Sequence, residues 1–338
     1  MELFLDSIKF EEVRQANDLG FLTGLTTTPT FMQREGITDV DAVILKLSKM
    51  TDILMVESLG NNAEEIIKEA ERLLSLGLNK EKVVFKIPIS FEGAKACKIL
   101  TSGGLKVNLH LVYTIQQAYI ALCAGATYIC PLVGRLQDQG HDALALVEQC
   151  VKATERYNYK TKVMFSSVRS IEHVRNAINL GAHACTVPWN VLKQLPENHF
   201  TDIGIRQFVE HQEMSTTRAS DLVKTDDVFL NSDSMVLDAL IQMTKSRLGA
   251  CIILNNKKEI HRIFTDGDLR RLLKGGQNNL INKKFTELET NSPISIDLNA
   301  SLQEITNLFK AKEVDNIVVV DNGKPVGIID IQDVLKWL

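Results

Sequence analysis

Over residues 1–212 short continuous apolar runs alternate with longer amphipathic ones. The short runs, rich in β-branched residues, fall at 3–5, 22–25, 53–56, 83–85, 107–112, 128–130, 163–165 and 184–187 and read as strands. Between them, stretches such as AEEIIKEAERLLSLG and IEHVRNAINLGA place apolar residues at helical spacing. Eight strand–helix units of this kind predict a closed parallel α/β barrel, the (β/α)8 TIM barrel. At about 26 residues per unit it is compact for a fold whose typical length is about 250 residues. The rival is an open doubly wound sheet, and no glycine-rich dinucleotide fingerprint follows the first strand to support it.

The pattern changes after residue 212, where the chain repeats itself. A shift of 65 residues lays 226–273 over 291–338, so that CIILNNKKEIHRIFTDGDLRRLL falls on NIVVVDNGKPVGIIDIQDVLKWL. Each copy reads as a helix, a β-branched strand, a turn at 255–258 or 321–324, a second strand and a closing helix. The polar stretch KGGQNNLINKK connects the copies, and EMSTTRASD precedes the first. The expected organisation is a barrel over 1–212, a linker over 213–220 and a duplicated α+β module over 221–338.

Composition narrows the class. Of 338 residues 45% are hydrophobic and 24% charged, which excludes collagen-like and disordered chains, and the length suits about two domains. A net charge of −4 argues against nucleic acid or acidic lipid as a partner of the whole chain. Cys97, Cys123, Cys130, Cys150, Cys185 and Cys251 lie far apart with no C-x-x-C pair, a pattern of free thiols in a cytosolic protein. The start MELFLDSIKF has neither a basic region nor a long apolar one, and no run approaches 18 apolar residues, so the expectation is a cytoplasmic protein without a membrane span. The histidines show no metal-ligand spacing.

In a parallel barrel the reactive groups come from the C-terminal ends of the strands and the loops that follow. Those positions hold Asp6, the run Thr26-Thr27-Thr28-Pro29-Thr30, Glu57, Lys86, Asn108, His110, Arg135, Ser166, Ser167 and Arg169. Lys86 stands out because VVFKIP sets a lysine at the end of an otherwise apolar strand. Burial there favours a neutral amine able to attack a carbonyl; the competing reading is a lysine that reaches solvent or pairs with a carboxylate. Asp6 and Glu57 supply carboxylates to move protons, and Asn108 an amide for a substrate hydroxyl. Arg135, Ser167 and Arg169, after adjacent late strands, suit a phosphate. The set describes a Schiff-base enzyme acting on a sugar phosphate.

FLDSIKFEEV, GLTTTPTFM, KVVFKIPISFEGAKA, YICPLVGRLQDQG, KVMFSSVRSIEHV, GAHACTVP and FTDIGIRQF together resemble, in order and spacing, the transaldolase and fructose-6-phosphate aldolase family. The resemblance implies that Lys86 is the Schiff-base lysine, Asp6 and Glu57 are acid/base residues, Asn108 binds a hydroxyl, and Arg135, Ser167 and Arg169 hold phosphate, with no cofactor or metal required. Three positions depart from the family. Its Thr-Thr-Asn-Pro-Ser motif has Thr28 in place of Asn; the Thr of its Asn-x-Thr is His110, an imidazole able to take over proton transfer; and Leu132 replaces an aromatic. These changes imply Schiff-base chemistry on a different sugar, the alternative being a nucleotide-responsive regulatory protein whose barrel has lost turnover.

The duplicated module resembles a pair of CBS motifs, and FTDGDLRR is similar to a stretch of the pair in arabinose-5-phosphate isomerases, a second pointer to sugar phosphates and surface polysaccharide. That likeness implies an adenine or other nucleotide, with Thr265 near phosphate and Asp268 and Asp333 on ribose, while Asp330 in the second copy repels phosphate. The competing reading is a scaffold for dimerisation. Both resemblances imply a homo-oligomer.

Overall fold

The computed structural model describes residues 1–275 and 279–338; residues 276–278, part of the polar connector between the repeats, lie outside the described residues. Among the described residues the chain forms two compact units, Met1–Glu197 and Asn198–Leu338.

In the first unit eight parallel strands close on themselves in sequence order: β1 (Glu2–Asp6), β2 (Gly24–Thr26), β3 (Leu54–Glu57), β4 (Val83–Pro88), β5 (Lys106–Val112), β6 (Tyr128–Pro131), β7 (Lys162–Phe165) and β8 (Ala184–Val187). β1 pairs with β8, Phe4 opposite Thr186, to complete the barrel. The amphipathic stretches are the helices between strands. Their starts are set by side chains that satisfy free backbone N–H groups, as Asn62, Ser90 and Asp142 do, and Thr114 in a reciprocal capping box with Gln117.

The strand period of two sorts the side chains into two cores. On β4, Val83, Phe85 and Ile87 pack outward against the helices, while Val84 packs inside the barrel with Phe4, Met55, Tyr128 and Met164. Lys86 follows Val84 by two residues and therefore also faces inward. The same step of two carries Phe4 to Asp6, Met55 to Glu57, and Met164 to Ser166. A polar layer thus lies on top of an apolar one, at the C-terminal mouth of the barrel.

The second unit bears out the duplication. Strands β9 (Phe229–Asn231), β10 (Ala250–Leu254) and β11 (Ile260–Thr265) form one sheet, and β12 (Ser295–Asp297), β13 (Asn316–Asp321) and β14 (Lys324–Asp330) form the other. In each sheet the middle strand pairs parallel with the first and antiparallel with the third. The sequence reading omitted β9 and β12, which at three residues carry no period. The first copy closes with the helix Asp266–Lys274; the second closes with two 3-10 turns, Ile331–Asp333 and Leu335–Trp337. Residues 213–220, expected as a linker, are ordered by packing. The helix His199–Thr216 covers 213–216, Arg218 bridges Ser301, and Ala219 is buried with Leu302 and Phe309.

No helix among the described residues is long and apolar enough to cross a membrane. All six cysteines are free, and all but Cys123 are buried.

Candidate active site

A cavity of about 650 Å³ opens at the C-terminal mouth of the barrel, bordered by Asp6, Glu57, Lys86, His110, Arg135 and Arg169. Lys86 is 5% exposed. Its Nζ lies 2.8 Å from Glu57 Oε1 and donates to the Thr27 carbonyl at 2.7 Å. Of the two readings open in the sequence, the structure has the lysine paired with a carboxylate. The pairing follows from register, since Glu57 and Lys86 are opposite partners on β3 and β4.

Glu57 continues the chain: its Oε2 lies 2.8 Å from His110 Nε2. Neither atom has another partner among the described residues, and the separation suits donation from a proton on Nε2 to the carboxylate. The buried groups form the line Lys86, Glu57, His110. Burial alone would raise the Glu57 carboxyl; the Lys86 charge and the bonds from His110 and Lys86 outweigh it and hold the group below the usual carboxylate range. For His110 burial dominates, and its imidazole sits below the ordinary value despite the Glu57 bond. The backbone aids this placement: β5 is irregular after His110, where Leu111 takes a left-handed φ of 56°. A leucine there costs about 1–3 kcal/mol, strain of the kind that bulges hold beside active sites.

Asp6 occupies the opposite wall. Thr26 Oγ1 approaches its Oδ1 at 2.8 Å and Thr186 Oγ1 at 2.6 Å. Burial pushes the Asp6 carboxyl above its usual range, against the opposing effects of Lys86 and Thr26. A carboxyl so tuned can both give and accept a proton during turnover.

The late strands bring two arginines to the cavity. Arg135 borders the cavity and has no hydrogen bond or ion pair among the described residues. Arg169 is fixed by a two-pronged contact to Asp138, at 2.8 and 2.5 Å. Ser167 adopts a left-handed φ of 59°, and Gly134 lies against it: a Cβ there would sit 2.2 Å from the Ser167 carbonyl and 2.8 Å from Arg169 Nε. Only glycine lets the helix Val133–Asp138 meet the loop after β7 this closely.

Other expected residues fall differently. Thr28 borders the cavity, but its hydroxyl caps the helix Pro29–Arg34 by accepting from the Phe31 amide at 3.4 Å. Asn108 is fully buried and does not border the cavity. Its Nδ2 faces the sulfurs of Met55 and Met164 at 3.4 and 3.7 Å, and its Oδ1 has no partner among the described residues. Leu132 does line the cavity. Two further contributors escaped the sequence reading. Thr186 is the inward residue at the end of β8 and could have been found by the period of two. Arg34 borders the cavity from beyond the loop where the strand-end filter stopped.

In the second unit the T-x-x-D spacing forms a helix cap. Thr265 Oγ1 donates to Asp268 Oδ2 at 2.9 Å and accepts from the Asp268 amide at 3.2 Å, while Asp268 Oδ1 pairs with Arg271 at 2.8 Å. Asp330 accepts from the Gln332 amide at 2.8 Å, and Asp333 pairs with Lys224 at 2.7 Å.

Residues 3–243 match the family model Transaldolase/Fructose-6-phosphate aldolase, and residues 219–275 and 286–338 match the CBS domain. A probable transaldolase of Clostridium acetobutylicum is 38% identical over 211 residues, covering 62% of this chain and 96% of that protein. One from Thermoanaerobacter is 39% identical with the same coverage. One from Methanococcus vannielii is 37% identical over 209 residues, 62% of this chain and 96% of its own. The chain belongs to the transaldolase/fructose-6-phosphate aldolase family, with transferase or aldolase activity in its barrel and a CBS pair after it.

Proposed function

We propose that the barrel is a class I transaldolase or aldolase that forms a Schiff base between Lys86 and a ketose phosphate. The observation that carries this reading is the buried line Lys86, Glu57, His110 opening into a cavity that also holds the unpaired Arg135. Lys86 passes a proton to Glu57 and its nitrogen attacks the ketone carbon; the carbonyl oxygen takes one proton from that nitrogen and one back from Glu57 and leaves as water, yielding an iminium. A carboxylate, Asp6, takes the proton of the hydroxyl on the far carbon of the bond that breaks. An aldehyde departs, and the electron pair of the broken bond is held as an enamine. Attack of that enamine on a second aldehyde, or its protonation and hydrolysis, completes transfer or cleavage. Arg135, Ser167 and Arg169 hold the phosphate and so fix the distance from the phosphate to the imine. Thr28, with its hydroxyl spent on a cap, and the deeply set Asn108 support a sugar outside the family's usual range, in a specialised or surface-polysaccharide pathway.

Borohydride reduction in the presence of ketose phosphates, followed by peptide mass spectrometry, should place the adduct on Lys86. No adduct with any ketose phosphate, together with thermal stabilisation by nucleotides, would instead favour a regulator that has lost turnover. For the CBS pair we favour assembly into a homo-oligomer. Thr265, Asp268 and Asp333 are held by internal bonds that a nucleotide would have to displace, whereas Leu237 and Ile241 form an exposed apolar stripe on the helix Val236–Ser246. Phe200, Ile205 and Phe208, exposed on the helix His199–Thr216, support the same reading. The free thiols support a cytoplasmic location.

A further inference from the structure

The cavity has a second cationic end. Arg34, the last residue of the helix after β2, borders the same space as Lys86 and makes no hydrogen bond or ion pair among the described residues. The acid next to it, Glu35, is engaged by Lys9 at 3.3 Å, so it does not supply Arg34 with a partner. Of the three arginines on the cavity, Arg169 is tied to Asp138, while Arg34 and Arg135 are both free to meet a ligand.

Topology sets these two apart. In a closed barrel of eight strands in sequence order, the loop after β2 and the loop after β6 are four strands apart, on opposite sides of the mouth. Lys86 on β4 stands between them. Arg34, Lys86, Arg135 and Arg169 outnumber the carboxylates Asp6 and Glu57 on the cavity, in a chain whose net charge is −4. Excess positive charge in a concave site concentrates anions. A single phosphate at the β6 and β7 side leaves Arg34 unused.

We infer that the site takes a substrate with an anionic group at both ends, one held at Arg135 and Arg169 and the other, on the carbon next to the imine, held by Arg34. The inference rests on the Schiff-base reading for which carbon lies where. The second anion is a phosphate or a carboxylate, both of which a guanidinium fork accepts in two-pronged fashion.

The test uses ligands without a ketone, so that binding is read independently of imine formation. Glucitol 6-phosphate, glucitol 1,6-bisphosphate and 6-phosphogluconate are titrated into the full-length protein by calorimetry. A two-anion ligand is expected to bind at least about tenfold tighter than glucitol 6-phosphate, ~1.4 kcal/mol. The bisphosphate or the sugar acid, whichever gains more, names the second anion. In Arg34→Gln that ratio should collapse to within about twofold, and Arg34→Lys should keep part of it. Arg135→Gln should weaken all three ligands and leave the ratio in place. Equal binding of one-anion and two-anion ligands, no binding of either two-anion ligand, or a ratio unchanged in Arg34→Gln overturns the inference. A missing borohydride adduct on Lys86 would overturn the reaction instead, with the binding ratio still reporting on Arg34.

Discussion

Replacing Glu57 with glutamine removes one charge from the centre of the buried line and keeps its volume. The side chains of Glu57 and Lys86 are 8% and 7% exposed, so water does little to screen the pair. Removing one partner of a buried pair costs about 3–5 kcal/mol, because the other charge stays where water cannot reach it. For a unit of this size that corresponds to a fall in melting temperature of about 6–20 °C. The pH dependence has a definite sign. The Glu57 carboxyl is held low in the folded state, so its contribution is present above its unfolded value and is lost as pH falls through the folded one. Glu57→Gln should therefore melt earlier at neutral pH and lose part of the acid-induced destabilisation of the parent. The same change cuts the proton path from Lys86, and the rate of borohydride trapping should drop by about 10²–10⁴. Calorimetric melts between pH 4 and 8 and trapping time courses measure both effects. A variant within about 0.5 kcal/mol of the parent that traps substrate at the parental rate would refute the paired-lysine account.

Three further outcomes follow from the geometry. His110, held neutral by burial, should give the parent an acid limb in kcat/KM centred below the ordinary histidine value, and His110→Asn should abolish that limb while lowering the rate; a pH–rate profile checks it. Gly134→Ala places a Cβ 2.2 Å from the Ser167 carbonyl, which should cost about 1–3 kcal/mol and raise KM for phosphorylated substrates more than it lowers kcat. Asp268→Ala removes the carboxylate half of the capping box that starts the helix Asp266–Lys274 and the carboxylate facing the buried Arg262, for a loss of about 1 kcal/mol in urea unfolding of the full chain; a loss of nucleotide response without a loss of stability would argue against the capping role.

Much of the barrel was legible because its signal is local. Each strand is a short apolar run, and all eight runs named from the sequence are strands, with β2 displaced toward its C-terminal end. The inward direction of Lys86 was equally readable, since it follows from a period of two. Arg34 was missed for a definable reason: it lies a turn and a half into a helix, where spacing on the strand gives no hint that a long side chain reaches back to the mouth. The T-x-x-D element illustrates a different limit. The same four residues write a helix cap as well as a ligand motif, and the hydrogen bonds of Thr265 are those of the cap.

Sequence by itself determined the strands of the barrel, the duplicated second unit and the direction in which each barrel side chain points, because these depend on neighbours along one chain. Height in the barrel was decided only by tertiary structure. Lys86 and Asn108 are paired in register, yet Lys86 borders the cavity and Asn108 lies beneath it among Met55 and Met164. Strands of a closed barrel tilt against its axis, so partners in register stand at different levels. That same closure sets Glu57 between Lys86 and His110, and brings Arg34 and Arg135 to opposite sides of one cavity.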